Sequence, residues 1–169
     1  MTVREFVLEE LNREVARSRR ALQAVPAGHY EWKPHDTSMA FGYLTDMVAT
    51  IPSWITAIVT TESLDVAPKD GPSMKPEPKT TSDALLKALE DAAAGARAAL
   101  AQVSDAVLQQ PWQLKAAGTV VQEVPRLEAI QDTLNHWAHH RGQMTVYLRL
   151  LGAKVPSIYG PSADDPNFR

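Results

Sequence analysis

The stretch Leu134-Asn135-His136-Trp137-Ala138-His139-His140-Arg141-Gly142-Gln143-Met144-Thr145-Val146-Tyr147-Leu148 holds three of the chain's five histidines. Its apolar positions Leu134, Trp137, Met144 and Leu148, continued upstream by Ile130, recur at steps of three, four and seven. That is the repeat of a helix with one buried face, and it predicts a helix over residues 126–151. Four residues along such a helix turn the side chain by about 40°, so His136 and His140 share a face one turn apart. This is the spacing by which a helix offers two imidazoles to one metal ion. Gln143 and Tyr147 lie within roughly 20° of the same direction and lengthen the polar strip, which flanks the apolar stripe about 100° away. His139 points off by about 60° and is the poorer partner. Two histidines four apart are most often surface or satisfied core residues, so the pair alone marks only a candidate.

Arg141 occupies a position of the apolar stripe. A buried guanidinium needs an anion, either a glutamate elsewhere in the fold or the carboxylate of a substrate. Gly142 in mid-helix costs about 1 kcal/mol against alanine, which close packing of another helix or subunit would explain. Val146 and Leu150 lie opposite the histidines, so the helix is apolar on two faces, as expected of burial or a dimer interface.

Three further helices lie upstream. The first covers residues 3–25, with Thr2 as its cap and Leu8, Leu11, Val15, Leu22 and Val25 inward. Residues 26–37, with two prolines, a glycine and two histidines, form a loop. Ser38 is the expected N-cap of the second helix, whose buried stripe is Phe41, Leu44, Val48, Ile51, Ile55 and Ile58. Pro52 falls inside this pattern and should kink or break it. Residues 66–79 carry Pro68, Pro72, Pro76 and Pro78 and read as a crossover. The third helix starts near Ser82 and buries Leu85, Leu89, Ala92, Ala96, Leu100 and Val103. Residues 111–125 suit a small hairpin turning at Ala117-Gly118. The tail from residue 152, with Ile158 and Tyr159 of buried type, reads as an ordered strap. Four amphipathic helices with two long connections make an all-α four-helix bundle with crossovers, a single domain over residues 1–169.

Composition narrows the function. The 169 residues are 44% hydrophobic and 22% charged with a net charge of −3, which excludes a disordered chain and a broad basic footprint for nucleic acid. Arg13, Arg17, Arg19 and Arg20 are balanced by Glu9, Glu10 and Glu14 and read as a solvated helix face. No apolar run is long enough to span a bilayer, and the charged first twenty residues lack a signal core, so a cytoplasmic location is expected. With no cysteine, the chain has no thiolate ligand and no thiol nucleophile of its own.

The run LNHWAHHRGQMTVYLRLLGAKVPSIYGPSADD, with WQLKAAGTVVQEVPR and WKPHDTSMAFGYLTDMVATIPSW upstream, resembles the DinB/YfiT-like family of metalloenzymes. The resemblance implies a four-helix bundle, frequently a homodimer, and a divalent metal such as zinc or nickel held by three histidines. Two of these carry over to His136 and His140. The third, expected from the second helix, falls on Met47, whose soft thioether is a poor substitute for imidazole at zinc or nickel. Asp46 is turned by about 100° from it, while His29 and His35 in the preceding loop are other candidates. Some relatives are transferases or isomerases using a low-molecular-weight thiol, which here would have to be external. Arg141, Gln143 and Tyr147 are then the candidates for holding the substrate. The alternative is a dimeric small-molecule-binding or interaction module that has lost its metal chemistry.

Overall fold

The computed structural model describes residues 1–69 and 79–167. Among these, helices and strands follow in the order α1 (Val3–Gln23), α2 (Phe41–Thr50), α3 (Pro52–Thr60), β1 (Ser63–Asp65), α4 (Ser82–Gln102), α5 (Asp105–Leu108), β2 (Pro111–Ala116), β3 (Thr119–Pro125) and α6 (Arg126–Leu150). The fold is mostly helical, with a small sheet that makes it more than all-α. The prolines expected to form the crossover at 72, 76 and 78 lie outside the described residues.

Thr2 caps α1 in a reciprocal box. Its hydroxyl accepts from the Glu5 backbone N–H at 3.2 Å, and the Glu5 carboxylate accepts from Thr2 N–H at 2.7 Å. Of the stripe predicted for the first helix, Leu11, Val15 and Leu22 are buried on α1 and Val25 just beyond its end, while Val7 is buried where Leu8 was expected and Glu14 and Ser18 lie on the stripe too. Glu14 is therefore not part of a solvated face.

Ser38 does not cap the second helix. The chain doubles back so that Trp32 and Tyr30 carbonyls accept from Phe41 and Gly42 N–H, each at 2.9 Å. These carbonyls satisfy the first donors of α2, and no hydroxyl is needed. The approach requires glycine, since a Cβ on Gly42 would sit 2.7 Å from Tyr30 Cδ1. Pro52 divides α2 from α3 as its missing N–H demands. The carbonyl it leaves without a helical partner, that of Val48, accepts instead from Trp137 Nε1 at 2.7 Å. The proline break thus fixes the register of α6 against α2.

The core lies between α4, which packs on α1, α2 and α3, and α6, which packs on α1, α2 and α3 from another side. Every position of the apolar stripes predicted for the second and last helices is buried, while Val146 and Leu150 on the opposite face of α6 are exposed, and on α4 Ala93 takes the place expected of Ala92. Arg126, 2% exposed, closes the end of α3 by donating to the Ile58 and Thr61 carbonyls at 2.5 Å and to Glu62 at 2.9 Å.

The hairpin turns at Ala117-Gly118 with φ of 51° and 79°. Beyond it, β1 adds in parallel to β2, giving the order β1-β2-β3. Asp65 of β1 braces the turn, accepting from Gly118 N–H at 2.7 Å and Ala67 N–H at 3.0 Å. The tail is a strap, pinned where Asp165 accepts from Ser157 N–H and hydroxyl at 3.0 and 2.6 Å. Ile158 packs on the core, but the Tyr159 side chain stays largely exposed, contrary to the expectation of burial. No helix among the described residues is long and apolar enough to cross a membrane.

Candidate functional site

The strip along α6 runs from Asp132 through His136 and His140 to Gln143 and Tyr147. His136 and His140 turn their rings together, with Nε2 to Nε2 at 2.6 Å. Gln143 Oε1 lies 2.9 Å from His140 Nδ1. With Nδ1–H donating to that amide oxygen, the Nε2 lone pair of His140 faces His136. Trp54 of α3 packs its indole against the His136 ring, centroids 5.5 Å apart. Burial lowers both imidazoles below their ordinary range, helped at His136 by the neighbouring His140 and His139 and opposed at His140 by its bond to Gln143. Both rings are therefore poised to be neutral near pH 7, the form that binds metal.

The pair fits two positions of a metal centre. Around a tetrahedral ion with Zn–N bonds of about 2.0–2.1 Å, two imidazole nitrogens stand about 3.3 Å apart, so the rings would open by about 0.7 Å. A third donor is the difficulty. Met47 is half-buried on α2 and packs against the core. Asp46 is committed elsewhere, accepting from Lys79 N–H at 3.3 Å with the Lys79 ammonium 3.6 Å away. Burial raises the Asp46 carboxyl above its ordinary range, and Lys79 only partly offsets this. His29 and His35 are exposed in the loop, with His35 Nδ1 2.9 Å from the Thr37 hydroxyl. Among the described residues, no group of three or more histidines and carboxylates is placed to hold an ion.

The other candidates have partners inside the fold. Arg141 is 1% exposed and its anion is Glu14, itself 3% exposed. The guanidinium also donates to the Ser18 hydroxyl at 2.9 Å and to the Tyr159 hydroxyl, which in turn donates to Glu14 at 2.8 Å. Burial pushes the Glu14 carboxyl up, but Arg141, Tyr159 and Arg17 together outweigh it and hold the group below its ordinary range. Of the two anions considered for Arg141, the structure supplies the glutamate. A carboxylate and a serine on the buried stripe of α1 were the signal for this network. Tyr147 donates to the Met39 carbonyl at 3.3 Å and packs edge-on against Trp32.

Beside His136 lies a cavity of about 340 Å³ that the sequence did not announce. Its walls are Trp54 and Ile58 of α3, Trp112 and Leu114 of β2, and the face of α6 that carries Asp132 and His136. Each wall follows the period of its element, four on a helix and two on a strand.

Residues 1–167 match the family model described as the DinB family. The chain is similar in structure to a DinB-like protein from Bacillus cereus ATCC 10987, with a TM-score of 0.71 and 19% identity over 92% of this chain and 97% of that one. A DinB-like protein of Bacillus subtilis, YjoA, gives a TM-score of 0.64 and 17% identity over 88% and 92% of the two chains. At these identities the likeness concerns the fold. In sequence, 44 residues are 43% identical to the uncharacterized protein YrdA of Bacillus subtilis (strain 168). That match spans 26% of either chain.

Proposed function

The chain belongs to the DinB family, and on that premise we propose that it is a divalent-metal-dependent enzyme whose ion is held by His136 and His140. The observation that carries this reading is the convergence of the two Nε2 atoms, with Gln143 orienting His140. A zinc or nickel ion bound there would supply Lewis acidity, lowering the pKa of a coordinated water or thiol. With two protein imidazoles, more positions stay open to exogenous ligands than at a three-histidine centre, and Met47 contributes at most a soft contact. A thiol substrate would be external, since the chain has no cysteine. Gln143 holds the His140 tautomer, and Trp54 shields His136 on the side of the cavity. Arg141 serves α6 by its bond to Glu14 and is not assigned to substrate.

The helices α1, α2–α3, α4 and α6 correspond to the four members of the family's bundle. We also place the protein in the cytoplasm as a homodimer. The outer face of α6 supports the dimer, because Val146 and Leu150 are exposed there and the surface at Gly142 is open. Sedimentation of wild type and Gly142→Leu tests it.

A second reading, a binding module without metal, is favoured by the single observation that Met47 stands where the family has its third histidine. Thermal melting separates the two. Zinc or nickel should raise the melting temperature of the wild type and leave His140→Ala unchanged, whereas equal responses would refute the metal reading.

A further inference from the structure

The cavity beside His136 is walled chiefly by α6, α3 and β2, with Val66 and, from β3, Gln122 completing the lining. On α6 the positions Ala129, Asp132, Thr133 and His136 follow helical spacing and face it together. Trp54 and Ile58 close it from α3, and Trp112 and Leu114 from β2. Its volume of about 340 Å³ lies at the lower end of the range of small-molecule sites and suits a ligand of roughly ten to fifteen non-hydrogen atoms. The walls are mainly apolar and include the indoles of Trp54 and Trp112, whose rings carry negative quadrupole faces. Among the described lining residues there is one carboxylate, that of Asp132, and no lysine or arginine. Asp132 accepts from Gln122 Nε2 at 3.2 Å, a neutral partner, and makes no ion pair among the described residues.

We propose that this cavity is a binding site for a small organic amine with a flat apolar body, which lies between Trp54 and Trp112 with its ammonium toward Asp132. The indole faces and the carboxylate both favour a cation, and the apolar walls exclude one that has no hydrocarbon body. An anionic ligand of the same shape meets the Asp132 charge and has no basic residue of the lining to answer it. The site shares His136 with the metal reading but does not need the ion, because the groups that select a cation are Trp54, Trp112 and Asp132, and the test is made on metal-free protein.

Calorimetric titration with three probes of similar size provides the test: 4-phenylbutylamine, 4-phenylbutanol and 4-phenylbutyrate. The amine should bind roughly five- to tenfold more tightly than the alcohol, and the butyrate more weakly than both. Asp132→Asn, at an exposed position, should bring the amine to the level of the alcohol and leave the alcohol within about twofold. His140→Ala should preserve amine binding, so a loss of metal binding in that variant cannot be mistaken for failure of this site. Equal binding of amine and butyrate, tighter binding of butyrate, or an amine preference that survives Asp132→Asn would overturn the proposal. So would the failure of all three to bind.

Discussion

Replacing Glu14 by alanine should be among the most damaging single changes available in this chain. Glu14 and Arg141 are 3% and 1% exposed, and the carboxylate sits between two guanidiniums, those of Arg141 and Arg17. Removing it strands the Arg141 charge, leaving neutral hydrogen-bond partners among the described residues: the Ser18 hydroxyl, the Tyr159 hydroxyl and the backbone carbonyl of residue 14. Breaking such a pair costs about 3–5 kcal/mol. For a domain of this size that is a fall in melting temperature of roughly 6–20 °C. Replacing both partners, as Glu14→Leu with Arg141→Met, should recover most of the loss, since no charge is then left buried. The pH dependence has a definite sign. The Glu14 carboxyl is held below its ordinary value in the folded protein, so its contribution is complete above about pH 4.5. It is lost as the pH falls through the folded-state value, and the gap between wild type and Glu14→Gln should therefore close on acidification. Urea denaturation of the four proteins across pH 3–7 measures both effects. A single-mutant loss under 1 kcal/mol, or a gap that widens in acid, would refute the reasoning.

Met47→His should raise affinity for zinc or nickel at least about tenfold in competition with a chromophoric chelator, if position 47 faces the ion as the family pattern implies. No gain would show that the second helix no longer presents this position to the histidines. Ala117→Asn should stabilise the protein by about 0.5–1 kcal/mol in denaturant melts, because alanine is held at φ of 51° where asparagine is less strained. Gly42→Ala should cost about 1–3 kcal/mol despite alanine's better helix propensity, because its Cβ would press on Tyr30. A neutral result would mean that the loop over the start of α2 moves aside freely.

The long helices were legible because each repeats its apolar residues at the helical period, and Pro52 was marked as a kink or break in the second, where the structure has a break. What periodicity could not show were contacts made by the backbone. The cap of α2 is a pair of carbonyls from residues 30 and 32, so the hydroxyl of Ser38 pointed to the wrong device. β1 has only three residues, too few for an alternating pattern, and its pairing with β2 bridges 50 positions of sequence, as in Ser63 with Gln113. At the site, the histidine pair followed from its spacing. Its neighbours on other elements did not, since Trp54 and Trp112 meet beside His136 only after the sheet closes against α3 and α6. Glu14 was visible as a carboxylate on a buried stripe, but a count of nearby charges assigned it to the surface.

The metal content of the protein, purified without an affinity tag and analysed by elemental mass spectrometry, tests the central claim most directly. Close to one divalent ion per chain, absent from His136→Ala and His140→Ala, is the predicted result. Metal-free wild type that takes up neither zinc nor nickel on titration would contradict it.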